Sequence, residues 1–229
     1  MKINNEFWAF VPARSGSKSI KNKNIILLKN KPLLAHSLIA AKKSHVIKNI
    51  VFSSDSSKYF DIASKYTSFI PHYRSRKIST DLSSDFDVFL DFVKNFKGNL
   101  PKYFLHLRPT TPFRDPKILD KVMREFDKEE KKYTALRSVS KMINPVYKSV
   151  IIKNNVLFSP IFKTSELDQI NKPRQNYKNS YMPNGYIDII KTSTILSGLL
   201  HGNKVKSYVN NFFVSDIDSL VDLKIARSL

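Results

Sequence analysis

Glu6-Phe-Trp-Ala-Phe-Val-Pro-Ala13, followed without a break by Arg14-Ser-Gly-Ser-Lys-Ser-Ile-Lys-Asn-Lys-Asn24, is the stretch that decides how this chain folds. The first eight residues are almost all apolar and end in a polar Gly/Ser segment, which predicts a buried strand running into a loop. Asn30-Lys-Pro32 then opens Leu33 to Ser44, where Leu34, Leu38 and Ala41 recur at helical spacing and Pro32 stands near the first helical position. A second strand, Asn49-Ile-Val-Phe-Ser53, follows. Ser56 or Ser57 can cap a helix carrying Tyr59, Ile62 and Ala63, and Phe69 to His72 reads as a third strand. This βαβαβ rhythm predicts an α/β fold with a doubly wound, mostly parallel sheet and helices on both faces.

Downstream, Phe86, Phe89, Leu90, Val93 and Phe96 mark one apolar helix face, with Asp85 and Asp87 favourably near its N-terminus. Tyr103-Phe-Leu-His-Leu107 reads as a strand, and three prolines between Arg108 and Pro116 break regular structure. A helix from about Lys117 to Glu130 and a strand from Thr134 to Val139 follow. Between Tyr147 and Phe158 two apolar segments flank Asn154-Asn155, a hairpin turn that tolerates positive φ, so residues of about 140–180 are expected to form an inserted arm used for dimerisation. Gly185 to Ile190 and Lys204 to Val214 read as strands. Ser219 to Ser228 reads as a closing helix with Asp218 as its cap. No repeat or long linker divides residues 1–229, so a single domain is expected.

The chain has 229 residues, no cysteine and 41% hydrophobic residues, enough for one sizeable core. Without cysteine it has no disulfide framework, thiolate nucleophile or cysteine-ligated metal. Its apolar stretches fall far short of the ~20 residues of a membrane span, and Met1-Lys2-Ile3-Asn4-Asn5-Glu6 has no signal-peptide layout, so a cytoplasmic location and no membrane partner are expected. The formal charge of +20 raises nucleic acid, membrane surface or an anionic substrate as partners. Only nine of the 39 basic residues are arginine, and the lysines are spread along the chain with many asparagines. That spread speaks for a compositional bias and against specific nucleic-acid binding.

Two segments carry chemistry. In the loop Arg14 to Asn24, Gly16 and small serines let backbone amides converge while Arg14, Lys18 and Lys23 add charge, a good cradle for phosphates after a first strand. It is neither a Walker A loop nor a Gly-x-Gly-x-x-Gly fingerprint, and a solvated basic loop has the same composition. In Ser215-Asp-Ile-Asp218 two carboxylates spaced i, i+2 in an extended segment point the same way, a hard oxygen pair suited to Mg2+ shared with substrate phosphates. The alternative makes Asp218 a helix cap and Asp216 a surface residue. Arg108-Pro-Thr-Thr-Pro, Lys172-Pro-Arg-Gln175 and Asn184-Gly185 are turn chemistry in isolation, and the five histidines show no metal-ligand spacing.

Together these segments resemble the acylneuraminate (CMP-sialic acid synthetase type) cytidylyltransferases. The resemblance rests on Val11-Pro-Ala-Arg14-Ser-Gly-Ser17-Lys18-Ser-Ile20 with Lys23-Asn24-Ile25, then Ile50-Val-Phe-Ser-Ser-Asp55, Arg74 with Ser79-Thr-Asp81, and Leu107-Arg-Pro-Thr-Thr-Pro-Phe-Arg114. It continues through Pro173-Arg-Gln175, Pro183-Asn-Gly185 and Asp216-Ile-Asp218, in family order over nearly the whole chain.

The resemblance implies a Rossmann-like nucleotide-binding fold, a single catalytic domain and a homodimer. It implies that CTP and an acidic nine-carbon sugar react, with Mg2+, to a CMP-sugar and pyrophosphate. Arg14, Ser17, Lys18 and Asn24 would bind CTP, with Arg14 and Lys18 on the triphosphate, Lys23 supporting the loop, and Arg74 and Ser83 near base and ribose. Arg108, Thr110 and Thr111 would face the sugar, Lys148 and Arg174 would serve its carboxylate, and Gln175 and Asn184 would complete the pocket. Asp216 and Asp218 would hold the metal, and with Arg14 and Lys18 form the catalytic set. Three positions depart from the family pattern: Ser15 where glycine is usual, Lys21 where proline is usual, and Arg108 where glutamine is common. At Arg108 a fixed cation could pair with the sugar carboxylate or alter which sugar fits. The alternatives are a 3-deoxy-manno-octulosonate cytidylyltransferase, which usually carries an acidic residue in the Arg108 turn, and a basic non-enzymatic nucleic-acid-binding module.

Overall fold

Strand β1 (Ile3–Pro12) sends alternate side chains to opposite faces, and both faces are buried. Phe7, Ala9 and Val11 enter one core while Trp8 and Phe10 enter the other, which requires helices on both sides of the sheet. The computed structural model describes residues 2–229, apart from the side chain of Gln169.

After β1 a tight hairpin, β2 (Leu27–Leu28) and β3 (Lys31–Pro32), turns through Lys29 and Asn30 at positive φ. Helix α1 (Leu33–Lys42), β4 (Ile47–Ser54), α2 (Ser57–Ser64) and β5 (Ile70–Tyr73) complete the βαβαβ unit. Helix α3 (Asp85–Asn95) starts on a reciprocal Ser84/Asp87 capping box, and β6 (Leu100–His106) follows it. Next come α4 (Pro116–Lys128), capped by Asp115, and β7 (Ala135–Lys141). Residues 142–180 carry the hairpin β8 (Ile151–Lys153) and β9 (Val156–Phe158), whose turn places Asn154 and Asn155 at φ of 50° and 60°. The chain closes with β10 (Tyr181–Lys191), α5 (Thr192–Leu196), β11 (Val205–Asn210) and α6 (Leu220–Ser228).

Seven strands form one sheet in the order β11-β7-β10-β6-β1-β4-β5. The pairs β6/β1, β1/β4 and β4/β5 are parallel, and β10 runs antiparallel between β6 and β7. Helices α1, α2 and α4 cover one face; α3 and α5 cover the other. The chain winds from β1 outward to β5 and returns to the other side of β1 at β6. The strand order therefore reverses between β1 and β6, the place where open α/β sheets hold ligands beyond their carboxyl ends.

Two expectations need correction. The cap of α6 is Ser219, whose hydroxyl accepts from the Asp222 amide while the Asp222 carboxylate accepts from the Ser219 amide, so Asp218 is not the cap. Strand β11 ends at Asn210, short of the expected Val214.

Beneath the loop that follows β6 lies Arg114, buried and, among the described residues, without a carboxylate hydrogen-bonded to it. Its guanidinium donates to the Tyr186, Arg108 and Gly185 carbonyls at 2.7, 3.0 and 2.9 Å, to the Ser37 hydroxyl at 2.9 Å, and to the Thr111 carbonyl. Burial, with repulsion from Arg108 added, lowers its pKa to about 9. Arg114→Met would strand these acceptors in a dry interior, and we expect a loss of about 3 kcal/mol or more. Urea unfolding checks this: the midpoint should fall at constant m, and an unchanged midpoint would show that Arg114 is dispensable to the fold.

Candidate active site

A cleft of about 580 Å³ opens at the carboxyl ends of β1, β5 and β6, lined by Arg14, Ser17, Lys18, Lys23, Asn24, Arg74, Asp81, Ser83, Asp85, Arg108, Thr110 and Asp218. All seven residues expected to bind nucleotide stand in it. Of the sugar-facing set only Arg108 and Thr110 do.

The loop after β1 is held from three sides. Ser15 donates from its amide and its hydroxyl to the two oxygens of Asp55, both at 2.8 Å, so this departure from glycine supplies an anchor. Asn24 donates to the Arg14 carbonyl at 2.9 Å, and Lys23 reaches across to Asp218 Oδ1 at 2.8 Å. An added Cβ at Gly16 would meet nothing within 4 Å, so packing does not demand glycine there. Asp81, from the loop before α3, pairs with both expected phosphate ligands: Arg14 at one carboxylate oxygen and Lys18 at the other, the latter at 2.7 Å. Those two cations hold the Asp81 pKa below the ordinary carboxylate range.

Arg74 is oriented differently. Its Nε donates to the Ser53 hydroxyl at 2.8 Å, which faces His72 Nδ1 at 2.8 Å, and His72 Nε2 faces Asp91 at 2.9 Å. Burial keeps the His72 pKa low despite Asp91, so neutral His72 can accept from Ser53. Arg74 itself makes no ion pair among the described residues. Burial, partly offset by Asp85 and Asp55, brings its pKa to about 10.

Opposite the loop, Ile217 is buried against Ile20, Leu28 and Leu33, and its amide donates to the Thr110 carbonyl at 2.8 Å. Asp216 and Asp218 flank Ile217 and feel each other's charge, and of the two only Asp218 lines the cleft. Desolvation raises the Asp216 pKa; a Thr110 hydrogen bond opposes this, and the Asp218 charge adds to it. Two mutually repelling carboxylates, only one of them ion-paired to a lysine, fit a hard divalent cation. Among the described residues no cluster of three or more acidic or histidine side chains forms a metal cage, so such an ion would need substrate oxygens to complete its shell.

Other expected sugar ligands lie elsewhere. Thr111 is buried with its hydroxyl unpartnered. The Asn184 side chain is used internally by Ser138, Ser140, Asn210 and the Tyr186 amide. Arg174 and Gln175 line a second cavity of about 560 Å³ with Lys141, Pro145 and Tyr177. Lys148 lines neither cavity, and within one chain these residues do not meet the cleft. Sequence reasoning gave no site role to Asp81 or Asp85; Asp85 was legible only as a helix-start acid, and Asp81 only as part of a motif.

The profile of a cytidylyltransferase family matches residues 8–192. The chain is 32% identical over 226 residues to an N-acylneuraminate cytidylyltransferase of Escherichia coli O18:K1:H7, covering 96% of this chain and 51% of that protein. It is 39% identical over 114 residues to a CMP-N,N'-diacetyllegionaminic acid synthase of Legionella pneumophila, covering 48% of this chain and 49% of that one. The chain thus spans about half the length of these curated relatives. Among solved structures, a CMP:2-keto-3-deoxy-manno-octonic acid synthetase complexed with CTP superposes with a TM-score of 0.70 at 12% identity, covering 97% of each chain. A cytidylyltransferase from Leptospira borgpetersenii gives 0.64 at 16% identity, covering 98% of this chain and 86% of that one. At such identities the structures speak for the fold alone.

Because Asp81 occupies both Arg14 and Lys18, an incoming polyphosphate must displace it. Asp81→Asn should therefore bind inorganic tripolyphosphate roughly 3- to 10-fold more tightly at low ionic strength, the scale of two exposed ion pairs. Calorimetric titration of both proteins measures this; weaker binding by the variant would mean that Asp81 arranges the two cations for the ligand.

Proposed function

This chain belongs to the cytidylyltransferase family, and we propose that it couples CTP to a nonulosonic acid of the sialic, legionaminic or pseudaminic type, giving a CMP-sugar and pyrophosphate. What carries the reading is the convergence of Arg14, Lys18, Lys23 and Arg74 on one cleft faced by Asp218. Relatives named for N-acylneuraminate, diacetyllegionaminic acid and pseudaminic acid support the substrate class.

In this reading the anomeric hydroxyl oxygen of the sugar attacks the α-phosphorus in line, forming one P–O bond as the bond to the β-phosphate breaks and pyrophosphate leaves. Such transfer asks the protein mainly for positioning and charge neutralisation. Arg14 and Lys18 take the triphosphate after releasing Asp81. Ser17 and Asn24 shape the loop around it, and Lys23 ties the loop to Asp218. Arg74 and Ser83 stand at the base and ribose, while Arg108 and Thr110 face the sugar, with Thr111 and Asn184 supporting that wall from beneath. Asp216 and Asp218 would hold Mg2+ jointly with phosphate oxygens, where it would supply further charge neutralisation. Lys148, Arg174 and Gln175 lie away from this cleft and take no role in it here.

We read the protein as a homodimer joined through its arm, where Ile143 and Ile152 are 81% and 73% exposed and Val156 is also bare. No helix among the described residues is long and apolar enough to cross a membrane. A nucleoside triphosphate substrate suits a cytoplasmic location, and the reading needs no nucleic-acid partner.

Pyrophosphate release with CTP and the acid sugars tests the reaction: it should stop in excess chelator, and equal turnover with UTP or ATP would overturn the nucleotide assignment. Lys18→Ala should cut turnover by roughly 10², the effect of losing one preorganised charge-stabilising donor. Lys18 is 85% exposed, so thermal stability should barely move, and wild-type turnover would remove Lys18 from the phosphate site.

Asp216→Asn and Asp218→Asn should both slow turnover and both fold normally, since Ser219 caps α6. Excess Mg2+ should partly restore each by mass action, because the asparagine oxygen remains a weak ligand. Rate curves against Mg2+ that superimpose on wild type would mean that neither aspartate holds the metal.

A further inference from the structure

Across β6, β10 and β7, His106, Asp188 and Arg137 stand directly opposite one another, on the sheet face covered by α3. Asp188 is fully buried. One of its carboxylate oxygens accepts from Arg108 Nη1 at 2.9 Å, and the other faces Arg137 Nε at 3.4 Å. His201 Nε2 lies 3.9 Å from it. The second arm of Arg108, Nη2, donates to Asp85 at 2.9 Å. Arg108 is therefore clamped between two carboxylates, one from the sheet and one from the first turn of α3, and Arg108 and Asp85 both line the cleft.

Within the paired row itself the charges match, with Arg114 lying near Arg108 and Arg74 near Asp85. Arg108 and Arg137 bring two positive charges, Asp85 and Asp188 two negative ones. His106 adds none: burial, with Arg108 adding to it, pushes its pKa to about 3. Burial opposes ionisation of Asp85, yet the guanidinium charges of Arg108 and Arg74 beside it hold its pKa below the ordinary carboxylate range. A guanidinium already paired to two carboxylates keeps unused N–H donors, while its own charge is committed to those partners. Asp85 beside it offers acceptor oxygens. Such a wall suits an uncharged group that both donates and accepts, a hydroxyl or an acylamino substituent.

Resting on the nucleotidyl-transfer reading, we propose that Arg108 determines sugar specificity by reading an uncharged hydroxyl or acylamino substituent rather than the sugar carboxylate, and that Asp188 and Asp85 are the positioning residues that clamp it for this task. Arg137 balances the buried Asp188 from the far side. The departure from the glutamine common at this position thus comes with a built carboxylate frame: the arginine is not a loose cation awaiting an acid.

The names of two relatives separate two acid sugars, an N-acylneuraminate and an N,N'-diacetylated acid, that share a carboxylate and differ in uncharged substituents. Steady-state kcat/KM for both sugars at saturating CTP, with KM for CTP measured alongside, should be determined for wild type, Arg108→Gln, Asp188→Asn and Asp85→Asn. We expect Arg108→Gln to shift the ratio of the two kcat/KM values by roughly tenfold or more, the scale of one lost specific hydrogen bond, with KM for CTP unchanged. Asp188→Asn should shift the ratio in the same direction; if that buried change prevents folding, Asp85→Asn gives the same readout from the cleft side. If Arg108 binds the shared carboxylate, both sugars lose equally and the ratio stays put, which overturns the proposal. A ratio unmoved in the aspartate variants overturns the clamp. Turnover of neither sugar by wild type, with no pyrophosphate released, overturns the functional reading and this inference with it.

Discussion

Arg114 binds together the segments that make the floor of the cleft. Its planar fork reaches α1 through Ser37, the turn after β6 through the Arg108 and Thr111 carbonyls, and β10 through Gly185 and Tyr186. Among the described residues no carboxylate is hydrogen-bonded to it, and burial lowers its pKa to about 9 although Asp188 and Asp216 lie near enough to oppose this. An apolar side chain of similar volume would be cheaper to bury, but it would leave those carbonyls unpaired. Arginine is the side chain with enough donors in one plane to join three segments at once. The geometry of the cleft wall follows: Arg108 starts where its own carbonyl is held, and Gly185 comes so close to Thr111 that an added Cβ would sit 3.1 Å from the hydroxyl, at a φ of +67° that also favours glycine.

Local pattern accounts for most of the architecture. The apolar run of β1, the helical spacing of Leu34 and Leu38, and Asn154-Asn155 each state their structure within a few residues, because strand burial, helix faces and positive-φ turns are local demands. Where two neighbouring polar residues compete, locality fails: Asp218 and Ser219 both suit a cap, and only the reciprocal partner Asp222, three residues after Ser219, decides for serine. The hairpin of β2 and β3 is not legible in the sequence, because two-residue strands leave no period to read.

The cleft was legible to different depths. The Gly/Ser/Lys loop and the Asp-Ile-Asp segment are contiguous, so their chemistry stands in the sequence. Pairings across it do not: Arg14 meets Asp81 across 67 positions, and Arg108 meets Asp188 across 80. Asp188 reads in sequence as a lone acid inside an apolar strand. Only the antiparallel register of β10 between β6 and β7 turns it into the centre of a charged row. Ser53 and His72 are likewise ordinary strand residues until β4 and β5 pair side by side and aim them at Arg74.

These pairings give the cleft a direction. Arg14 and Lys18 are held by one exposed carboxylate that a stronger anion can replace, since a surface ion pair is weak and screened. Arg74 is held by a hydroxyl and makes no ion pair among the described residues, although Asp85 and Asp55 lie near it. Arg108 is held by two carboxylates, one fully buried, that no substrate can displace without unpairing the interior. Positive field is thus available at the end built from β1 and β5 and cancelled at the end built from β6 and β10. An anion entering this cleft is drawn toward the Gly/Ser loop, and an uncharged group is left to meet Arg108. The fold imposes that polarity by which partner each arginine receives, so even in a chain with a net charge of +20 the arginine on this wall has its own charge matched by two carboxylates.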